Sequence, residues 1–70
     1  MRVKVNPRLV PEFEEWLREL GYADGTIRNY IRGLFITDET AEKYKSQRKL
    51  RNTAYRHYER FLREKGYLKD

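Results

Sequence analysis

The side chains best suited to chemistry in this 70-residue chain are cations and amides set at helical spacing. Thr26, Arg28, Asn29 and Arg32 form one group, and Arg48, Lys49, Asn52 and Arg56 form a second. Arginine and lysine neutralise phosphates. Arginine also grips the guanine edge through paired hydrogen bonds, and asparagine suits the adenine edge. No acidic residue stands between Gly25 and Thr37, although the chain mixes signs freely elsewhere. Brought side by side, two such faces suit a major groove and the phosphates flanking it. Either face alone also matches an ordinary solvated helix surface.

The charge balance points the same way. Sixteen Lys and Arg stand against eleven Asp and Glu, a formal net charge of +5. Residues 1–42 carry six basic and eight acidic side chains, whereas residues 43–70 carry ten and three. The C-terminal part is therefore the candidate polyanion surface, with duplex DNA as the expected partner.

Other chemistry is poorly supplied. The chain has no cysteine, which excludes disulfides, thiolate zinc sites and thiol catalysis. His57, near Glu59 and Glu64, is its only histidine. A histidine on the edge of an apolar stripe is expected to pack against aromatic neighbours rather than act as a base. There is no Ser/His/Asp arrangement, Gly-rich phosphate loop or paired-carboxylate motif. The expectation is a non-enzymatic protein with no metal, no cofactor and no small-molecule substrate. No apolar run reaches membrane-spanning length, and Arg2 and Lys4 precede no signal segment. The expected setting is the cytoplasm, in association with the nucleoid.

The elements that position these residues read as helices. Residues 1–9 form an N-terminal arm with an Asn6-Pro7 turn and Leu9 or Val10 anchored on the core, and residues 10–70 form the domain. Pro11 suits a first helical position, and Phe13, Trp16, Leu17 and Leu20 make one buried stripe. Glu12, Glu14 and Glu15 favour the positive end of that helix, and Gly21 stops it. Asp24 is the expected cap of a second helix, with Ile27, Tyr30, Ile31, Leu34 and Phe35 facing inward. Gly33 costs helix propensity there and permits a close helix–helix approach. Thr37 caps a short third helix from Asp38 to about Lys45, with Ala41 and Tyr44 inward. Ser46 caps a fourth, roughly Gln47–Lys65, with Leu50, Ala54, Tyr58, Phe61 and Leu62 inward and Gly66 as its stop. The predicted fold is all-α, four short helices around one core. Trp16 is expected in that core. Tyr55 is expected as half-buried packing, although its phenol stands among Arg51, Asn52 and Arg56.

Three stretches together resemble the N-terminal core-binding domain of tyrosine recombinases, the phage-integrase and Xer-like enzymes. They are Phe13 to Gly21, Thr26 to Leu34 and Arg51 to Gly66, and the likeness spans about residues 10–68. Thr26, Ile27 and Tyr30 match the family's second helix; Tyr58, Phe61 and Leu62 match its last. The resemblance implies a SAM-like four-helix bundle forming half of a clamp on duplex DNA, with the second and fourth helices facing the major groove. The segment Phe35–Gln47 is short for the family. The family's catalytic arginine, lysine, histidine and tyrosine lie downstream of this domain, so no tyrosine here inherits the nucleophile's role. A downstream catalytic domain is one implied partner. The rival reading is an adaptor or inhibitor that keeps the fold and binds another protein.

Overall fold

The computed structural model describes residues 4–68. They form an all-α fold of four helices: α1 Val10–Glu19, α2 Asp24–Leu34, α3 Asp38–Lys43 and α4 Lys45–Glu64. A 3-10 turn, Pro7–Leu9, precedes α1. The described part of the arm is tied down. Asn6 caps the turn by accepting from the Arg8 N–H, and its own N–H donates to the Tyr58 hydroxyl at 3.0 Å. Val5 and Leu9 pack on the core. Residues 1–3 of the expected arm lie outside the described residues.

The apolar stripes converge as their spacing predicts. Phe13, Trp16 and Leu17 of α1, Ile27 and Leu34 of α2, and Ala54, Tyr58, Phe61 and Leu62 of α4 make one buried cluster. Phe13 meets Tyr58 edge-on at 5.4 Å between ring centroids, and Phe61 lies 5.4 Å from Phe13 and 5.7 Å from Trp16. Gly21 and Gly66 follow the ends of α1 and α4 at φ 95° and 81°. At each, the following residue's N–H returns to the helix, Tyr22 to Leu17 O and Tyr67 to Leu62 O. That closure needs a left-handed residue, which glycine adopts without a Cβ clash.

The helix ends depart from expectation. α2 begins at Asp24 with Ala23 as its cap residue, so Asp24 sits in the first turn and reaches Arg18 at 3.5 Å instead. α4 begins at Lys45, with Tyr44 rather than Ser46 before it. Thr37 does cap α3, accepting from the Thr40 N–H at 3.2 Å. Leu20, Phe35 and Tyr44, expected to face inward, are instead 44%, 53% and 56% exposed. Each stands where a helix is ending or about to begin, and there the chain turns away from the line along which helical spacing was extrapolated.

Candidate nucleic-acid interface

α2 and α4 make the most extensive helix contact. They run antiparallel: Tyr30 meets His57, and three residues further along α2 Gly33 meets Ala54 and Leu50. A Cβ on Gly33 would stand 2.9 Å from the Ala54 Cβ and 3.1 Å from the Leu50 carbonyl oxygen. The glycine thus sets how closely the helices lie.

Helix geometry then fixes the exposed faces. At about 100° per residue, Thr26, Tyr30 and Gly33 form the seam row of α2, with Ile27 and Leu34 on its inner side and Asn29 and Arg32 on its outer side. Leu50, Ala54 and His57 form the seam row of α4. Tyr58 and Phe61 flank it inwardly; Lys49, Thr53, Arg56 and Arg60 flank it outwardly. For antiparallel helices these outer flanks share one side of the molecule. Asn29, Arg32, Lys49, Arg56 and Arg60 are all exposed there. None of Arg32, Lys49 and Arg56 forms an ion pair with a described residue.

The remaining expected residues scatter. Thr26 is half-buried in the seam, and Asn52 is exposed on the crest of α4 at the margin of the face. Arg28 points toward α1, lining an open cleft with Glu14, Arg18, Asp24, Ile27 and Ile31. Two carboxylates therefore share its surroundings. Arg48 is exposed on the flank of α4 that it shares with Arg51 and Tyr55, toward α3. The structure brings Asn29, Arg32, Lys49 and Arg56 together; Arg28 and Arg48 point elsewhere.

An aromatic cluster holds the seam. The Tyr30 and His57 rings stack at 4.5 Å with 27° between planes, and Tyr22 meets both edge-on. His57 Nδ1 lies 2.9 Å from Thr53 O, so this nitrogen carries the proton, and Nε2 accepts from the Tyr22 hydroxyl at 3.1 Å. Burial, and then the neighbouring Tyr22, push the Tyr30 phenol above the usual tyrosine range. His57 thus packs among aromatics, as expected. Tyr55 is half-buried and donates to Leu34 O at 3.3 Å.

Two arginines outside the expected site residues stand out. Arg60 belongs to the outer row with Lys49, Thr53 and Arg56, an i, i+4, i+7, i+11 series visible in the sequence. It is partly neutralised by Glu64 at 2.8 Å and lies 5.8 Å from the Trp16 ring centre. Arg51 is buried, pairs with Asp38 at 2.6 Å and donates to Ile36 O at 3.4 Å. Its Nε has no hydrogen-bond partner. The signal for it was position: residue 51 precedes Ala54 and Tyr58 by three and seven on the core stripe.

Among the described residues there is no cluster of metal-ligating side chains, and no helix is long and apolar enough to cross a membrane. No known protein family, curated protein or solved structure matches the chain.

Proposed function

We propose that this chain is a duplex-DNA-binding module of the kind its sequence resembles, the core-binding domain of a tyrosine recombinase. It acts in the cytoplasm on nucleoid DNA and performs no catalysis itself. One observation carries the reading: Arg32, Lys49 and Arg56 stand on the outer side of the α2–α4 seam with no ion-pair partner among the described residues. Unpaired guanidinium and ammonium groups on one face neutralise phosphates and release counterions, which makes binding salt-dependent. Asn29, exposed on the same side, supplies the amide for base contact. Most of the affinity is backbone-driven, with limited base readout.

The test is a titration with labelled duplex DNA at several salt concentrations. Binding should fall steeply with salt. Replacing Arg32 and Arg56 together by alanine should remove about two phosphate contacts and flatten the log–log salt slope by roughly 1.8. No binding at low salt, or an unchanged slope in the variant, rejects the reading.

The rival, a protein-interaction adaptor, is favoured by one feature. Phe35 and Tyr44, at the two ends of the α3 connection, are 53% and 56% exposed. Affinity for an acidic protein with none for DNA would select it.

A further inference from the structure

Tyr44 is the odd member of the six tyrosines. Tyr22 and Tyr30 pack with His57, Tyr58 is buried beside Phe13, and the hydroxyls of Tyr55 and Tyr67 donate to Leu34 O and Glu12. The Tyr44 ring is 56% exposed, and neither it nor its hydroxyl meets a described residue in a ring contact or a hydrogen bond. Its backbone is nonetheless fixed. The N–H donates to Thr40 O at 3.0 Å, and the carbonyl accepts from the Arg48 N–H at 3.1 Å. The joint between α3 and α4 thus holds one aromatic ring out to solvent at a set place.

Cations flank this ring. No acidic residue stands between Glu42 and Glu59. Lys45, Arg48 and Lys49 are exposed and form no ion pair with a described residue. They do not serve the helix, because the macrodipole opposes cations in the first turn, where α4 has no acid. At about 100° per residue, Lys45 and Asn52 lie between Lys49 and Arg48 around α4. The cationic surface therefore runs from the outer α2–α4 face, round the crest of α4, to the Tyr44 end. The carboxylates nearest in sequence are Glu39 and Glu42, both exposed on α3. Lys43 stands one turn from Glu39, so its charge is partly offset.

We infer that Tyr44 is a stacking platform for an unpaired base, with Lys45, Arg48 and Lys49 holding the strand that carries it. The inference deepens the DNA reading and rests on it: the favoured substrate is a duplex that continues into a single strand. Stacking on an aromatic ring is sequence-tolerant, since every base has a π-face, and flanking cations neutralise the strand's phosphates. Inside a duplex both faces of a base are already covered, so the ring adds nothing there. A protein partner fits less well. Lys43, Lys45, Ser46, Gln47 and Arg48, around Tyr44 in sequence, add no exposed apolar side chain to it. One flat base needs only one ring, whereas a stable protein interface takes roughly 800 Å² from each side.

The experiment measures the affinity of the whole chain for labelled DNA probes. They are a blunt duplex, the same duplex with a tail of about six adenine nucleotides, the same with an equally long abasic tail, and the adenine strand alone. The abasic tail supplies the added phosphates without bases. The adenine tail should bind about tenfold more tightly than the abasic one, the worth of one stacked base. Tyr44→Leu should bind both tails alike, at the abasic level, and Tyr44→Phe should keep the difference. Lys45→Gln/Arg48→Gln should flatten the log–log salt slope for the adenine strand by roughly 1.4, as expected for about two single-strand phosphate contacts. Blunt-duplex binding with equal affinity for the two tails overturns the platform and leaves the duplex reading standing. A preference that survives in Tyr44→Leu places the base elsewhere and overturns it too. An adenine strand bound through Tyr44, with no affinity for the blunt duplex, upholds the platform and rejects the duplex reading. No binding to any probe overturns both and turns Tyr44 toward a protein partner.

Discussion

The exposed charges of α1 and those of the outer α2–α4 face contrast in how they are answered. On α1, Arg18 reaches Glu14 at 3.1 Å, Glu15 at 3.0 Å and Asp24 at 3.5 Å. Glu12 accepts from Tyr67, and the Trp16 indole N–H points at Glu64. Hydrogen bonding to Glu14 raises the Arg18 pKa above its ordinary value. On the outer face Arg32, Lys49 and Arg56 have no such partner among the described residues. Both regions are solvated helix surface. Exposed ion pairs add little stability, so pairing on α1 is not a large energetic asset. The lesson lies in availability: a cation whose partner is internal is occupied, and one without a partner is free to meet an external anion.

The largest expected effect breaks that contrast directly. Changing Arg32, Lys49 and Arg56 together to glutamate should lower duplex affinity more than about a hundredfold at low salt. Thermal stability should hold, since surface substitutions usually stay within about 0.5 kcal/mol each. A collapse in melting temperature would show that these side chains support the fold, and the contrast would fail. Reversing Glu15 to lysine on α1 is the matched control and should leave affinity near its original value.

Gly33→Ala probes what joins the two helices of the face. The added methyl meets Ala54 and a backbone oxygen of Leu50, so the helices must move apart. Overpacking of this kind costs about 1–3 kcal/mol, offset by roughly 1 kcal/mol of gained helix propensity. A net loss of up to about 2 kcal/mol is expected in urea unfolding, with weaker DNA binding alongside. Unlike the charge reversals, it should change both properties together. An unchanged unfolding midpoint would mean the seam has slack.

Asp38→Asn tests the one cation buried among the described residues. Arg51 would keep Ile36 O but lose its counter-charge, with Nε already lacking a partner. Because the Asp38 side chain is 85% exposed, the loss should be about 1 kcal/mol, well short of that for a fully buried pair. Duplex affinity should not follow it, since Arg51 belongs to the core side of α4.

How much of this was legible in the sequence follows from what each inference required. Helical spacing found the core because Phe13, Trp16 and Leu17, or Tyr58, Phe61 and Leu62, lie on one helix and need no knowledge of its neighbours. The same spacing misplaced Phe35 and Tyr44, since it cannot tell where a helix stops. The stops at Gly21 and Gly66 were legible because glycine carries its own backbone reason. The candidate face was half legible. Which residues are exposed follows from one helix; which exposed residues share a side depends on the antiparallel contact of Gly33 with Ala54. Arg28 shows the cost: no acid stands between Gly25 and Thr37, yet Asp24, drawn into the first turn of α2, and Glu14 of α1 both share its cleft. Arg51 was hidden for the opposite reason, because its counter-charge comes from α3, thirteen residues away.

The smallest expected effect tests the answered side of the contrast. Tyr67, just past Gly66, rests its ring 6.2 Å from Phe61 and donates to both carboxylate oxygens of Glu12 at 3.0 Å. This joins the C-terminal end of the fold to the start of α1. The hydrogen bond to Glu12, followed by desolvation and the carboxylate charge, raises the Tyr67 phenol above its ordinary value. A folded-state pKa raised above the unfolded one means stability fully present below the unfolded value, about 10 for tyrosine, and lost as pH climbs through the folded value. The wild-type melting temperature should therefore fall more steeply above about pH 10 than that of Tyr67→Phe, which has no phenol proton to lose. Taking the difference between the two proteins removes the parallel titration of Tyr30. Identical slopes would show that the Glu12 contact contributes nothing in solution. Duplex affinity at neutral pH should be the same in both, because a contact that already satisfies a carboxylate on α1 takes no part in what the outer face offers to a phosphate.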